Sequence, residues 1–283
     1  MARRGRAERP RARRYEVTRR DREIIYAVAR MGQATTDQLC RLFFTERSVA
    51  TRRLSKLVAL RLLDVRVCEQ SAPNIYLLTA SGAALLESAG ADPNELHRSR
   101  VGRHIDDHLR ALNDLRVELV LAARRNVGLS VGAFHADLDL RRAAGPRPPA
   151  YVPDALVELT TPAGRLVLVV EVDTGTEGRS VFAMKVAETV QLWRSGQKCW
   201  GAAPGTWRPA CFAMSEVRVR ALAGAIVDRD GGALWLLAEL GHVRAVGALG
   251  QIFATATEIA ETPRGQAVRY AAALVPASHE VSR

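Results

Sequence analysis

Residues 151–173 read YVPDALVELTTPAGRLVLVVEVD, and this stretch decides the fold that we predict for the second half of the chain. Two runs rich in β-branched residues flank Pro162-Ala163-Gly164, a pattern that predicts a hairpin of two strands. Because side chains alternate along a strand, Glu171 and Asp173 should project from the same face. With the turn centred on its last two residues, we expect Asp154 to lie opposite Asp173.

Three carboxylates at the open end of one hairpin repel each other unless a cation or a proton separates them. Asp154, Glu171 and Asp173 therefore form a candidate site for a hard divalent metal. The pattern leaves an alternative open, in which these acids are solvated strand ends or caps for the helix that follows.

Length and charge indicate two domains and an affinity for polyanions. The chain has 283 residues and a formal net charge of +11, and residues 1–20 alone hold nine Arg against two Glu. We expect residues 1–17 to be a disordered basic arm, typical of segments that bind nucleic acid. The four Cys form no CxxC pair, and no apolar run is long enough to span a bilayer. We therefore expect a cytoplasmic protein with no membrane partner.

Residues 18–92 predict a winged helix-turn-helix, because three short helices precede a two-stranded ribbon and a further helix. Thr18 and Asp21 have the spacing of a capping box at the start of the first helix. Thr45 is the expected cap of the third helix. Helical spacing turns five apolar residues of that helix inward, namely Val49, Ala50, Leu54, Leu57 and Val58.

The third helix also carries a polar stripe opposite its apolar face. In a helix-turn-helix this helix enters the major groove, where its polar side chains contact base edges and phosphates. We therefore predict a surface for double-stranded DNA, with Arg66 on the wing as a further phosphate contact. The helix residues of this surface are Arg47, Ser48, Thr51, Arg52 and Lys56.

The remaining chain predicts a connecting helix at residues 93–125 and an α/β domain at 126–265 with a small mixed sheet, since strands and helices alternate there. Within that domain we expect a loop over 141–149 and a helix over about 180–194. The inward apolar side of this helix would be formed by Val181, Val186, Val190 and Trp193. Residues 266–283 are expected to form a C-terminal tail.

Two histidines on the connecting helix suggest zinc at first sight. His104 and His108 would share a helix face, but no clear third ligand accompanies them, so we interpret both as ordinary polar positions. Glu118 on the same helix is a candidate to support the hairpin acids, because the helix can pack beside the hairpin.

The hairpin motif resembles the core of PD-(D/E)xK nucleases, since Pro153-Asp154 is followed across the turn by Glu171-Val-Asp173. The fuller pattern resembles the plasmid replication-relaxation family of mobile elements. The matching pieces are a winged-helix N-terminus, His108-Leu-x-x-Leu-Asn-Asp114, Pro153-Asp154, Glu171-Val-Asp-Thr-Gly-Thr-Glu177 and Lys185.

The resemblance implies a restriction-endonuclease-like α/β domain joined to the winged helix. In an active nuclease of this type, Asp154 and Glu171 would be metal ligands and a lysine would orient or deprotonate the attacking water. Asp173 stands where such nucleases place the lysine, so Lys185 on the next helix is the candidate for a migrated catalytic lysine. Glu177 would support the cluster by contacting its metal ligands, or would stabilise that helix through its negative charge near the helix N-terminus.

Two functions therefore stay open, and a third explains less. The first is a DNA-binding factor of plasmid replication or transfer, with other replication or transfer proteins as partners and a nuclease-like domain that acts as a scaffold. The second is a metal-dependent DNA endonuclease or nickase that uses Asp154, Glu171 and Lys185 with Mg²⁺ or Mn²⁺. A winged-helix transcription regulator would explain the helix-turn-helix but not the acidic cluster.

Overall fold

The structure is a computed structural model, and it describes residues 16–67, 73–97, 107–126, 128–145, 151–162, 164–203, 205–248 and 250–271. Three of the predictions lie wholly or largely outside these ranges: the basic arm at 1–17, the position of His104, and the tail at 266–283.

The N-terminal unit combines helices with a small antiparallel sheet. Its elements are α1 (Arg19–Met31), β1 (Ala34–Thr35), α2 (Thr36–Phe43), α3 (Arg47–Ala59), β2 (Leu63–Arg66), β3 (Ile75–Leu78) and α4 (Ala80–Ser88). The strand order is β1-β3-β2, and both pairings are antiparallel. The predicted order of three helices, a two-stranded ribbon and a further helix is therefore observed.

Local capping explains where the first helices begin. The Thr18 side chain accepts from the Asp21 backbone N–H at 3.3 Å, and the Asp21 carboxylate accepts from the Thr18 N–H at 2.8 Å, so the predicted capping box is confirmed. The third helix differs from its prediction. Its N-cap is Glu46 rather than Thr45, and Glu46 provides no side-chain cap. Val49 is 39% exposed and does not face inward as expected.

The buried face of α3 packs into the N-terminal core, and an ion pair links α3 to α1. Ala50, Leu54 and Leu57 are fully buried on the inner face of α3. Beside them, Arg53 makes a two-pronged contact with the buried carboxylate of Asp21, at 2.5 and 2.7 Å. A planar guanidinium matches both carboxylate oxygens, so this pair fixes the orientation of α3 as well as its position.

The remaining chain forms a larger mixed sheet with helices on both faces. A 3-10 helix at Pro93–Glu95 comes first. The elements after it are α5 (Asp107–Arg125), β4 (Ser130–Ala136), α6 (Asp137–Ala144), β5 (Ala155–Thr161), β6 (Gly164–Asp173), α7 (Arg179–Arg194), β7 (Trp207–Ala213), α8 (Glu216–Val227), β8 (Leu236–Glu239), α9 (Leu240–Val246), β9 (Ala254–Thr255) and α10 (Ala256–Glu261).

The six strands lie in sequence order from β4 to β9. Strands β6, β7 and β8 are parallel, and the other neighbours are antiparallel. The apolar residues of α5 pack on one face of β6. On the other face of the sheet, α7 and α8 cover β7 and β8, and the end of α7 also packs against β6. Because both faces are covered, the apolar run at the end of β6 is buried almost without alternation.

Three sequence predictions for this half are corrected. Asp92-Pro93 opens only the short 3-10 helix, and the described part of the long connecting helix begins at Asp107. The expected loop over 141–149 is helical at its start, since α6 extends to Ala144. Within α7, Val181 is 43% exposed, although we expected it to face inward.

The hairpin has the predicted strands but another register. Thr161 pairs with Gly164 and Ala155 with Val170, so the two strands of the hairpin meet at the Thr161–Gly164 pair. The predicted pairing of Asp154 with Asp173 is therefore wrong by two residues, and Asp154 stands beside the Glu171 end of β6. A shift of two keeps every side chain on its predicted face, because the period of a strand is two.

The α5 helix joins the two halves by hydrogen bonds as well as by apolar packing. The Asn113 side-chain amide donates to the carbonyl oxygens of Met31 at 3.0 Å and Gln33 at 2.9 Å, just after α1. The Gln38 amide donates to the Asp114 carboxylate at 2.7 Å. Within the described ranges, none of the helices combines the length and the apolar composition that a membrane crossing requires.

Candidate functional site

Glu171 lies at the centre of a polar cluster at the carboxyl end of β6. Its side chain is buried, and each carboxylate oxygen has a protein donor. The Tyr151 hydroxyl donates to Oε1 at 2.8 Å, and the Lys185 ammonium on α7 lies 2.7 Å from Oε2. The structure therefore brings Lys185 to Glu171, which periodicity along α7 alone could not decide.

Asp154 completes the cluster from the strand that pairs with β6. Its Oδ2 accepts a hydrogen bond from the Val172 backbone N–H at 2.7 Å, which holds the carboxylate beside Glu171. On the outer side, Nε2 of His108 lies 3.2 Å from Asp154 Oδ1. We had interpreted His108 as an ordinary polar position on the connecting helix, whereas the structure places it against one of the predicted catalytic acids.

Burial and neighbouring charges both shift the pKa values of the cluster. Burial, and next the charge of Asp154, raise the pKa of Glu171 to about 8, against the opposing effects of Lys185 and Tyr151. Burial lowers the pKa of Lys185, but the carboxylates of Glu171 and Glu177 outweigh it, so the pKa of Lys185 is raised overall. Lys185 is therefore an ammonium ion at neutral pH.

Glu177 and Asp173 have different surroundings. Glu177 Oε1 lies 2.8 Å from the Lys185 ammonium, so this residue supports the cluster from the loop before α7. Asp173 instead binds Arg218 on α8 through two hydrogen bonds of 2.8 Å, and its Oδ1 accepts the Gly175 N–H at 2.7 Å. Both of its oxygens thus have donors away from Lys185.

Glu118 does not contact the hairpin acids. Its Oε1 lies 2.6 Å from the Arg41 guanidinium on α2, and the pair is largely buried. The expectation that Glu118 supports the acidic cluster is replaced by a role in docking α5 on the N-terminal unit.

A second polar surface lies on α3. The side of this helix opposite its buried face is exposed, and Arg66 at the end of β2 is partly exposed. The Thr51 hydroxyl donates to the Arg47 carbonyl oxygen at 2.9 Å, and the Arg47 guanidinium lies 4.0 Å from Asp37. The exposed residues that the sequence predicted here are Arg47, Ser48, Thr51, Arg52 and Lys56.

The model of the replication-relaxation family matches residues 25–206, more than half of the chain. The chain belongs to the replication-relaxation family. The matched segment includes both α3 and the hairpin, and membership indicates a role in the replication or transfer of a plasmid or another mobile element. No curated protein and no solved structure matches the chain.

Sequence reasoning missed two partners of the cluster in this member of the replication-relaxation family. Tyr151 opens the hairpin stretch, and its position three residues before Asp154 was the only available signal. Arg218 lies 45 residues from Asp173 in sequence, and nothing in the local pattern around it marks it as a partner of that acid.

Proposed function

We propose that the chain binds duplex DNA through the N-terminal unit, which we interpret as a winged helix-turn-helix, and that it acts in this way in plasmid replication or transfer. The observation that carries the proposal is the division of α3 into two faces. Leu54 and Leu57 are fully buried, whereas Ser48, Thr51 and Arg52 on the other side are exposed. Basic and hydroxyl side chains on an exposed helix face are the groups that contact base edges and phosphates.

The ribbon extends the proposed interface. Arg66 is the last residue of β2, where we expect a wing to meet the phosphate backbone. Phosphate contacts supply affinity that decreases with salt, because each contact releases counterions from the duplex.

Binding of a labelled duplex, measured by fluorescence anisotropy at several salt concentrations, tests the proposal. Arg52→Ala should weaken binding about fivefold, because it removes a basic side chain from the proposed interface. Arg194→Ala is the matched control, since Arg194 is an exposed arginine at the end of α7. Equal affinities for the wild type, Arg52→Ala and Arg194→Ala would remove α3 from the interface.

A second function, hydrolysis of a DNA phosphodiester, is favoured by the contact between Lys185 and Glu171. In the described part of the chain, no three His, Cys, Asp or Glu side chains cluster tightly enough to chelate a metal by themselves. Mg²⁺ nevertheless needs only one or two carboxylates, because waters complete its coordination. Asp154 and Glu171 fit that requirement, and a cation beside them would offset the burial and the Asp154 charge that raise the pKa of Glu171.

In this reaction Asp154 and Glu171 would hold Mg²⁺ or Mn²⁺, which would supply an activated water and a polarised phosphoryl oxygen when bound. The water oxygen would bond to phosphorus as the bond from phosphorus to one deoxyribose oxygen breaks, and the proton that the water loses would pass through solvent to that deoxyribose oxygen. Lys185 is held as an ammonium ion, so its role is to stabilise the negative charge that develops on the phosphoryl oxygens rather than to remove a proton. Asp173 takes no part in this proposal, because Arg218 holds it elsewhere.

Incubation with supercoiled plasmid and Mg²⁺ or Mn²⁺ separates the two functions. The second predicts nicking that is lost in Asp154→Ala and Glu171→Ala but kept in Asp230→Ala, a control at an exposed acid. Calorimetric titration with metal should show binding that the same two substitutions abolish. If the wild type neither nicks the plasmid nor binds metal, the second domain is a scaffold and the DNA-binding function stands alone.

A further inference from the structure

An apolar side chain lies within the polar surface of α3. Val49 is 39% exposed, and Ser48, Thr51 and Arg52 around it are exposed as well. The inner face of α3 is formed without Val49, since Ala50 beside it is fully buried. Val49 is therefore not a core residue, and its methyl groups are presented together with the groups proposed to bind DNA.

The position of Val49 along the helix also matters. Helix α3 begins at Arg47, so Val49 lies in its first turn. Arg52 and Lys56 follow it at spacings of three and seven residues, which places the three side chains in one stripe along the helix. In a helix-turn-helix, the N-terminal residues of the recognition helix are the ones that reach base edges, whereas more distant basic residues contact phosphates.

We propose that Val49 contacts the C5-methyl group of a thymine in the major groove, and that it makes the chain prefer an A·T pair at that position. This inference rests on the proposed DNA-binding function and deepens it. Among the groups displayed in the major groove, the thymine methyl is the one that an aliphatic side chain recognises, because the other edge atoms are hydrogen-bond donors and acceptors. A valine offers two methyl groups to it and no polar atom that would be left unpaired.

The stripe also predicts the neighbouring base pair. Three residues of α-helix advance about 4.5 Å, which is close to the ~3.4 Å rise of one base pair. Arginine pairs most often with O6 and N7 of guanine. The target should therefore contain a guanine one or two base pairs from the thymine, with Arg52 on the guanine and Val49 on the thymine.

The experiment begins by selecting preferred duplexes from a randomised library with the full-length chain. Each thymine of the selected site is then replaced by deoxyuracil, which lacks only the C5-methyl group, and affinity is measured at one fixed salt concentration. We expect one replacement to weaken wild-type binding about fourfold, the value of one methyl group removed from contact. Val49→Ala should bind the thymine site about as weakly as the wild type binds the deoxyuracil site, and the replacement should then have no further effect.

Val217→Ala is the matched control, because Val217 on α8 is another exposed valine, at 79% exposure. It should keep the full dependence on the thymine methyl. Thermal melting of Val49→Ala should match the wild type, since an exposed side chain contributes little to the core.

Two results would overturn the inference and leave the DNA-binding function in place. One is a selected site at which no single thymine methyl contributes to affinity. The other is a methyl dependence that persists unchanged in Val49→Ala. Absence of any duplex binding by the wild type would instead overturn the DNA-binding function, and this inference with it.

Discussion

The ion pair between Asp173 and Arg218 is predicted to stabilise the fold, and a double-mutant cycle measures it. Asp173 is 3% exposed and accepts two hydrogen bonds from Arg218, whose side chain is about one-fifth exposed. Removal of one partner from a buried ion pair lowers the free energy of unfolding by about 3–5 kcal/mol. Water reaches this pair from the Arg218 side, so we expect the lower end of that range, about 3 kcal/mol, for Arg218→Met. For a chain of this size, a loss of about 3 kcal/mol lowers the melting temperature by roughly 6–12 °C.

The assay is thermal unfolding of the wild type, Arg218→Met, Asp173→Asn and the double variant. We expect the double variant to be more stable than the sum of the single losses predicts, by about 2 kcal/mol, because the second substitution removes a charge that the first left unpaired. Losses that add within about 0.5 kcal/mol would refute the reasoning, since they would mean that the two side chains do not depend on each other.

The remaining predictions concern the N-terminal unit and its junction with the sheet. Burial raises the pKa of Asp21, but hydrogen bonds from Arg53 and Thr18 outweigh burial, and the pKa is lowered overall. The ionised Asp21 carboxylate therefore stabilises the fold above pH ~4, and this stabilisation is lost as the pH falls further. Arg53→Met should lower the free energy of unfolding by about 2 kcal/mol at neutral pH. Urea titrations between about pH 3 and 7 should then show a smaller loss of stability on acidification than in the wild type. A loss as large as that of the wild type would contradict the assignment. Asn113→Ala leaves two carbonyl groups without their donor and should lower the free energy of unfolding by about 2 kcal/mol. The loss should appear as faster amide hydrogen exchange at the junction. Unchanged exchange would show that water replaces the Asn113 amide. Gly82→Ala places a methyl group against the Leu62 carbonyl oxygen and should cost about 3 kcal/mol, although alanine is the better helix former; a neutral or stabilising effect would show that α4 can move away.

Local signals predicted the elements that depend on neighbouring residues. The Thr18–Asp21 capping box and the strand runs around Gly164 each follow from a few consecutive side chains, and the structure has both. The hairpin register did not follow, because it depends on which pair of residues closes the turn. That pair is Thr161 and Gly164, whereas a turn centred on residues 163–164 would be closed by residues 162 and 165.

The predictions that failed depended on tertiary surroundings. Val49 and Val181 both have helical spacing that favours the inner face, yet both lie in the first turn of their helix, where the described part of the chain leaves them 39% and 43% exposed. The partners of Asp173 and Glu118 come from α8 and α2, at sequence separations of 45 and 77 residues. No pattern in a single sequence encodes which distant guanidinium a buried carboxylate meets.

The α5 helix connects the two proposed functions. At its start His108 contacts Asp154 of the acidic cluster, and further along Asn113 and Glu118 bind the ends of α1 and α2. Polar contacts along this helix fix the distance between the proposed DNA surface on α3 and the cluster, because a large tilt of the helix would break them. If the cluster hydrolyses DNA, the nick should therefore lie at a constant spacing from the sequence bound by α3. If it does not, the same helix still makes the second domain a fixed platform beside the bound duplex, where another replication or transfer protein can be positioned.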